Sequence, residues 1–288
     1  KIIQLAHSVN EGLVPDNFLT KYYDRIYIPS DNDNILPLIK DWVNMALSKG
    51  KTLNQDIQVL APMYRCQNGI NELNVELQNI ANPLGDNLEL KYLGQNFRIN
   101  DKVIQLVNRS EKNVMNGDIG IVSEFLFSNG EINGLMVKYD SGVVNYVNDE
   151  LEDLKLAYSI SIHKSQGSEF DIVILPLSQS YTFMFKRKLI YTAITRAKKM
   201  LVLIGDLNSF QRGIGLVEAK RLTILKSLIN DELSSTIQKI NDSTSAFSYL
   251  GETEATLSPY DFEIKEKKKD TESLDKTLGA TEFDINDF

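Results

Sequence analysis

A chain of 288 residues with 42% hydrophobic and 24% charged side chains has the make-up of an ordinary globular protein, long enough for one large domain or two modest ones. Its single cysteine, Cys66, excludes an internal disulfide, and with only His7 and His163 beside it a zinc site is excluded too; no apolar run approaches the roughly 18 residues that cross a bilayer, so no membrane segment and a cytoplasmic placement are expected. The net charge is −8, but residues 241–288 hold twelve acidic and five basic side chains, so the remainder is near neutral and can carry a local basic face.

The chain opens inside a helical pattern, Ile2-Ile3-Gln4-Leu5-Ala6, without an initiator methionine, and is expected to be a fragment. Residues 24–28 read as a short strand. Apolar residues at helical spacing follow over 35–48 (Ile35, Leu38, Ile39, Trp42, Val43, Ala46, Leu47), with Gly50 where a cap belongs. Residues 57–62 read as a buried strand, and 69–80 as a helix stopped by Asn82-Pro83. Strand, loop and helix in repetition predict an α/β layer with a parallel sheet.

From about 97 the period changes. Strand-like runs Lys102–Asn108, Asp118–Ser128, Leu135–Tyr139 and Val143–Asn148 are separated by the turn signals Asn116-Gly117-Asp118, Ser128-Asn129-Gly130 and Asp140-Ser141-Gly142, the pattern of a small antiparallel barrel. The α/β pattern resumes at 155: Leu156–Ile162 leads into a loop, Asp171–Leu177 is a core strand, 186–199 is helical, and Met200–Gly205 is another core strand. The barrel is therefore an insertion. Residues 216–240 form one long helical pattern, and the polar, acidic tail after it has the composition of a disordered segment.

Three segments carry chemistry. Ala61-Pro62-Met63-Tyr64-Arg65-Cys66-Gln67-Asn68-Gly69 runs off a core strand, where α/β sheets bind ligands and where the Arg65 fork can reach phosphate; a plain surface arginine is the alternative. Ser161-Ile162-His163-Lys164-Ser165-Gln166-Gly167-Ser168-Glu169-Phe170 gathers hydroxyls, amides and a lysine around a glycine, groups suited to sugar–phosphate contacts; a polar turn between strands is the alternative. In Arg187–Lys199, Leu189, Ile190, Ala193, Ile194 and Ala197 form the buried stripe of an amphipathic helix, and Arg196 falls near its end. There it either points across a cleft to a γ-phosphate or satisfies the helix carbonyls and dipole.

His-Lys-Ser-Gln-Gly-Ser-Glu-Phe (163–170) followed by Leu-Ile-Tyr-Thr-Ala-Ile-Thr-Arg-Ala (189–197) resembles motifs V and VI of superfamily 1 helicases, nearest the RecD branch, which is similar to the exodeoxyribonuclease V alpha subunit. The Ala-Pro-Met-Tyr-Arg segment looks like motif IV, and Asn-Gly-Asp-Ile-Gly at 116–120 falls in what would be the family's SH3-like inserted domain. The resemblance covers about residues 1–215. It implies a RecA-like (P-loop NTPase-type) parallel-sheet motor domain over 1–96 and 153–240, an inserted SH3-like antiparallel β-barrel over 97–152, and a separate tail over 241–288. It further implies an ATP-dependent 5′→3′ DNA helicase serving recombination or repair. Arg196 would be the arginine finger and Arg65 a second γ-phosphate contact. Glu169 and Gly167 would couple nucleotide to DNA, and His163, Lys164, Ser165 and Gln166 would lie along single-stranded DNA.

A complete motor also needs the Walker A pattern Gly-x-x-x-x-Gly-Lys-Ser/Thr and an acidic pair for Mg²⁺. Gly50-Lys51-Thr52 has Met45 where the first glycine belongs, and follows a helix rather than a strand. ATP and Mg²⁺ are therefore expected to be held mainly by an upstream RecA-like domain, leaving this chain inactive alone. Two competing readings are an ATP-independent single-strand-binding module, which would keep salt-sensitive affinity, and a protein-interaction scaffold, which would not. The tail, with its acidic end and terminal Phe288, is read either as a solubilising end or as a dock for other recombination or repair proteins, and its Lys265–Lys269 cluster is too short and too interrupted by acids to argue for DNA.

Overall fold

The computed structural model describes residues 1–86 and 88–216, together with 230, 232 and 234–237. Most of the helix expected over 216–240 and the whole tail from 241 lie outside those residues. Helix α1, Ile2–Glu11, buries the stripe Ile2, Leu5, Ala6 and Val9, and ends where Gly12 (φ 83°) turns left-handed and Leu13 N–H caps the Ser8 carbonyl. Strand β1 is Arg25–Pro29, helix α2 is Ile35–Ser48, and strand β2 is Ile57–Ala61, buried along its whole length as a central parallel strand must be. Helix α3, Ile70–Ala81, starts after Asn68, whose N–H donates to Glu72, and stops before Pro83.

A hairpin then precedes the predicted barrel: β3, Glu89–Tyr92, pairs antiparallel with β4, Gln95–Arg98, across Leu93 (φ 45°) and Gly94 (φ 75°). Two successive positive φ values are what a two-residue hairpin turn requires. The insertion continues through β5 (Lys102–Gln105), β6 (Ile119–Ser128), β7 (Glu131–Tyr139), β8 (Gly142–Val147) and β9 (Leu154–Leu156), paired in the order β8-β7-β6-β5-β9, all antiparallel. The first of these ends at Gln105, three residues short of the expected Asn108. Strand β10, Ser159–Ser161, returns the chain to the parallel sheet, followed by β11 (Phe170–Leu177), helix α4 (Arg187–Ile194), strand β12 (Ala197–Gly205) and helix α5 (Leu207–Gly215). The parallel order is β1-β12-β11-β2-β10.

One expectation is corrected here. The helix predicted to run to 199 ends at Ile194, because Ala197 pairs with Phe170 and begins β12. Leu189, Ile190, Ala193 and Ile194 are the buried stripe; Ala197 belongs to the sheet.

The insertion is tied to the parallel-sheet part at both crossings. Asp101, fully buried, accepts from Gln78 Nε2 (2.6 Å), Asn82 Nδ2 (2.8 Å), Arg98 N–H (2.6 Å) and Tyr158 Oη (2.9 Å). Its neighbour Lys102 points the other way, as alternation along a strand dictates, and donates Nζ to the Leu53 (2.9 Å) and Ile57 (3.4 Å) carbonyls, 5.8 Å from the Phe170 ring centre. On the return side, Gln58 Nε2 donates to the Ala157 and Tyr158 carbonyls, and Asn74 bonds Ser159 through both its amide nitrogen and oxygen. Among the described residues no helix is long and apolar enough to cross a membrane.

Candidate functional site

Because all five strands of the first sheet are parallel, it has an amino edge and a carboxyl edge, and one loop touches both. The loop 162–169 leaves β10 at Ser161, level with Ala61 at the end of β2, and returns to begin β11 at Phe170, level with Ala197 at the start of β12. Ile57 pairs with Ile172, so the two levels lie six residues apart along the strands, about 20 Å. The loop is a coil of turns: Lys164 and Ser165 N–H donate to the Ser161 carbonyl, and Gln166 N–H to that of His163. Ser165 is fully buried, its Oγ donating to the Ile162 carbonyl at 2.7 Å, so it braces the loop instead of facing outward. His163 and Gln166 are exposed.

At the amino edge Gly167 (φ 88°) has no heavy atom within 4 Å of where a Cβ would stand, leaving the backbone open to a ligand. Arg196 is half-buried. Its Nη1 donates to the Ser168 carbonyl (2.9 Å), its Nε to that of Thr192 (3.2 Å) and its Nη2 to Thr195 Oγ1 (3.2 Å), while Phe170 N–H donates back to the Arg196 carbonyl (2.9 Å). The segments 163–170 and 189–197 are thus joined by side chain and backbone together. Exposed Glu169 faces Lys198 at 3.5 Å.

At the carboxyl edge most of the rim is sewn shut. Asn32 Oδ1 accepts from Ser178 Oγ (2.5 Å) and Gln179 N–H (3.1 Å), and Asn68 Nδ2 donates to the Asn32 carbonyl (2.9 Å). A shallow cleft beside β1 is lined by Asp31 and Asp206 and suits no anion. A second opening lies beside β10, where α3, the β3–β4 hairpin and β9 enclose a cleft of about 440 Å³. Tyr64, Arg65, Lys155 and Lys164 converge on it. Lys155 Nζ stands 4.9 Å from the centre of the Tyr64 ring, and Lys164 Nζ donates to Asn116 Oδ1 of the inserted unit at 3.2 Å. Burial, and then the positive charge of Lys155, hold Lys164 below the usual lysine range.

Arg65 and Arg196 are therefore not brought together. Arg65 stands beyond the carboxyl end of β2, and Arg196 immediately precedes the amino end of β12, so the expectation that both reach one γ-phosphate is corrected by strand direction. Gly167, Glu169 and Arg196 do share an edge, and so do Arg65 and Lys164. Sequence reasoning passed over Tyr64, Lys155 and Asn116 as site residues. Tyr64 carries no charge to mark it beside Arg65, and nothing in Leu154-Lys155-Leu156 tells that its lysine faces Tyr64.

Residues 73–139 match the family of the ATP-dependent RecD-like DNA helicase SH3 domain, and residues 156–204 that of the UvrD-like helicase C-terminal domain. Over 155 residues the chain is 33% identical to the ATP-dependent RecD2 DNA helicase of Deinococcus radiodurans, a match covering 54% of this chain and 21% of that protein. Over 159 residues it is 31% identical to the RecBCD enzyme subunit RecD of Buchnera aphidicola, covering 54% of this chain and 26% of that one. Among solved structures, that of the Pif1 helicase from Candida albicans aligns over 80% of this chain and 57% of its own, at 16% identity and a TM-score of 0.46. The chain spans about a fifth to a quarter of the length of the curated relatives it matches.

Proposed function

Because the chain carries the C-terminal region of a RecD-like superfamily 1 helicase, we propose that it is the second half of an ATP-driven DNA motor, with nucleotide at the amino edge of its parallel sheet and single-stranded DNA at the carboxyl edge. One observation carries this reading: the loop 162–169 has Lys164 at one edge and, at the other, the Ser168 carbonyl that holds Arg196.

The residues at the amino edge fit a nucleotide. Arg196 spends three of its five N–H groups on Ser168, Thr192 and Thr195, which leaves one on each terminal nitrogen free to donate to phosphate oxygens. ATP supplies the driving hydrolysis, and an arginine stabilising the transferring phosphoryl group contributes about 10³–10⁵ in rate. Gly167 gives the backbone room, and Glu169, on the same edge, is assigned to coupling nucleotide to DNA on family resemblance alone. Among the described residues no three His, Cys, Asp or Glu side chains gather to hold a metal ion. The ligands of Mg²⁺, like the phosphate-gripping lysine, are assigned to a RecA-like domain upstream of this segment. His163, Lys164 and Gln166 are assigned to the DNA strand, Ser165 to bracing their loop, and Arg65 to the strand in place of the nucleotide. The 5′→3′ polarity is assigned on family resemblance alone.

The test is single-strand binding by fluorescence anisotropy at low and moderate salt, wild type against His163→Ala, with ATP turnover measured in parallel. Salt-sensitive binding weakened by the substitution, without DNA-stimulated turnover, is the expected result. Turnover by the chain alone would overturn the division of the nucleotide site. No binding at low salt would hand the chain to the scaffold reading.

A further inference from the structure

Lys102 is a cation at a place in the fold where an apolar side chain would be expected. It is the first residue of β5, at the root of the inserted barrel, and is 3% exposed. Among the described residues no carboxylate lies within ion-pair distance of it, and burying a charge without a counter-charge costs free energy that an apolar side chain of similar length avoids. Its contacts show what the cation holds. Two of the three ammonium donors are taken by the Leu53 and Ile57 carbonyls, at the amino end of β2, and the Phe170 ring centre stands within cation–π range at 5.8 Å. The root of the barrel therefore reaches the amino edge of the parallel sheet, the edge on which Arg196 sits.

The hold on Arg196 centres on Phe170. Its N–H donates to the Arg196 carbonyl at 2.9 Å, and the carbonyl two residues before it, that of Ser168, accepts from Arg196 Nη1. The pairing of β11 with β12 shifts register between Phe170 and Ile172, so the ladder that fixes the rest of β11 does not run unbroken through Phe170. Its ring, packed against the core and beside the Lys102 ammonium, supplies the anchor that the ladder lacks. The exit from the insertion meets the same lysine, since Ala157 N–H donates to the Lys102 carbonyl at 2.8 Å. A contiguous route of hydrogen bonds and packed groups runs from both crossings of the insertion, through Lys102 and Phe170, to Arg196.

We propose that Lys102 is a positioning residue for phosphoryl transfer: it holds the Phe170 ring and, through the Phe170 backbone, fixes the point from which Arg196 presents its guanidinium. Lys102 itself touches no nucleotide. The inference rests on the reading of the chain as a motor half with nucleotide at the amino edge, and it gives the inserted barrel a mechanical hold on that edge. A misplacement of about 1 Å at a charge-stabilising donor can cost about 10²-fold in rate, so a loosened Phe170 acts on kcat more than on nucleotide affinity.

Two measurements test it. In the 288-residue chain, Lys102→Met is expected to speed hydrogen exchange of the Phe170 amide roughly tenfold while the amides of the β7–β8 ladder keep their wild-type rates. Equal acceleration at both places, or none at Phe170, would overturn the proposal, because the lysine would then prop the fold as a whole or hold nothing at this edge. In the intact motor, Lys102→Met and Phe170→Leu should each lower kcat for ATP roughly tenfold, with KM for ATP and single-strand affinity near wild type. The double variant should be no slower than either single one, because both remove the same contact. Lys138→Gln, on the exposed face of β7, changes none of these quantities. Wild-type turnover matched by Lys102→Met, or losses that multiply in the double variant, would overturn the route while leaving the motor reading intact. A wild-type motor without turnover would remove both.

Discussion

Asp101 and Lys102 are neighbours whose side chains leave the strand in opposite directions into two buried settings. Burial pushes the Asp101 carboxyl above the ordinary range, against the pull of its four donors. Burial pushes Lys102 down from 10.5 to about 7, since its partners are two carbonyls and a ring with no carboxylate among them. Between those two values the unfolded chain holds a proton that the folded chain does not, so stability rises with pH across that window. From pH 7 to pH 9 the gain from this residue is up to about 2–3 kcal/mol. Urea titrations at the two pH values check it: Lys102→Met should flatten the rise, and an equal rise in wild type and variant would mean that the lysine keeps its charge inside. Arg196 gives a second prediction at this scale. In the intact motor, Arg196→Ala should lower ATP turnover by about 10³ or more and leave single-strand affinity near wild type, with no rescue by lysine, because an ammonium lacks the paired donors. Equal loss of DNA binding would place Arg196 with the strand.

Helix α3, the hairpin, β5 and the return to β10 meet at one carboxylate. Asp101→Asn keeps the shape but exchanges an acceptor oxygen for a donor facing other donors, and should cost about 2–3 kcal/mol in chemical denaturation. A cost below about 0.5 kcal/mol would show that the knot is slack. Elements of this kind divide cleanly by how visible they are in sequence. Helix α2 occupies the span 35–48 that its apolar period predicts, and α3 begins and ends within a residue of 69–80, because strong periodicity and flanking Gly and Pro act locally. The β3–β4 hairpin escapes because Lys91, Gln95, Asn96 and Arg98 mask its alternation; Leu93-Gly94 at its tip was the available signal. The overrun of α4 has a different cause. Ala197, Lys198 and Lys199 continue a helical pattern well enough, and only the long-range pairing of Ala197 with Phe170 makes them strand. The site divides in the same way. The linear motifs mark both loops, whereas the edge of the sheet on which each arginine sits depends on strand direction, which no local pattern encodes.

Among the described residues charge is arranged by place: carboxylates line the shallow cleft beside β1, and cations the cleft beside β10. With Arg65, Lys155 and Lys164 as the unpaired set, single-strand affinity should fall with salt along a log–log slope of about −2, shallow beside that of a broadly basic protein. A slope steeper than about −5 would require cations outside this cleft. Gly50-Lys51-Thr52 does not alter the expectation for nucleotide: Lys51 and Thr52 turn toward Asp56, at 3.5 Å and 2.8 Å, in the manner of a capped turn. The strands that lead into and out of the inserted unit, β5 and β9, run side by side, and Ala157 N–H donates to the Lys102 carbonyl at 2.8 Å. A segment that departs and returns along two neighbouring, paired strands places no tension on its host. Such a unit can be lengthened, shortened or exchanged for another module through a short linker while the parallel sheet closes behind it, which makes the barrel the natural unit of replacement in engineering or in descent, provided that Asp101 stays with the host.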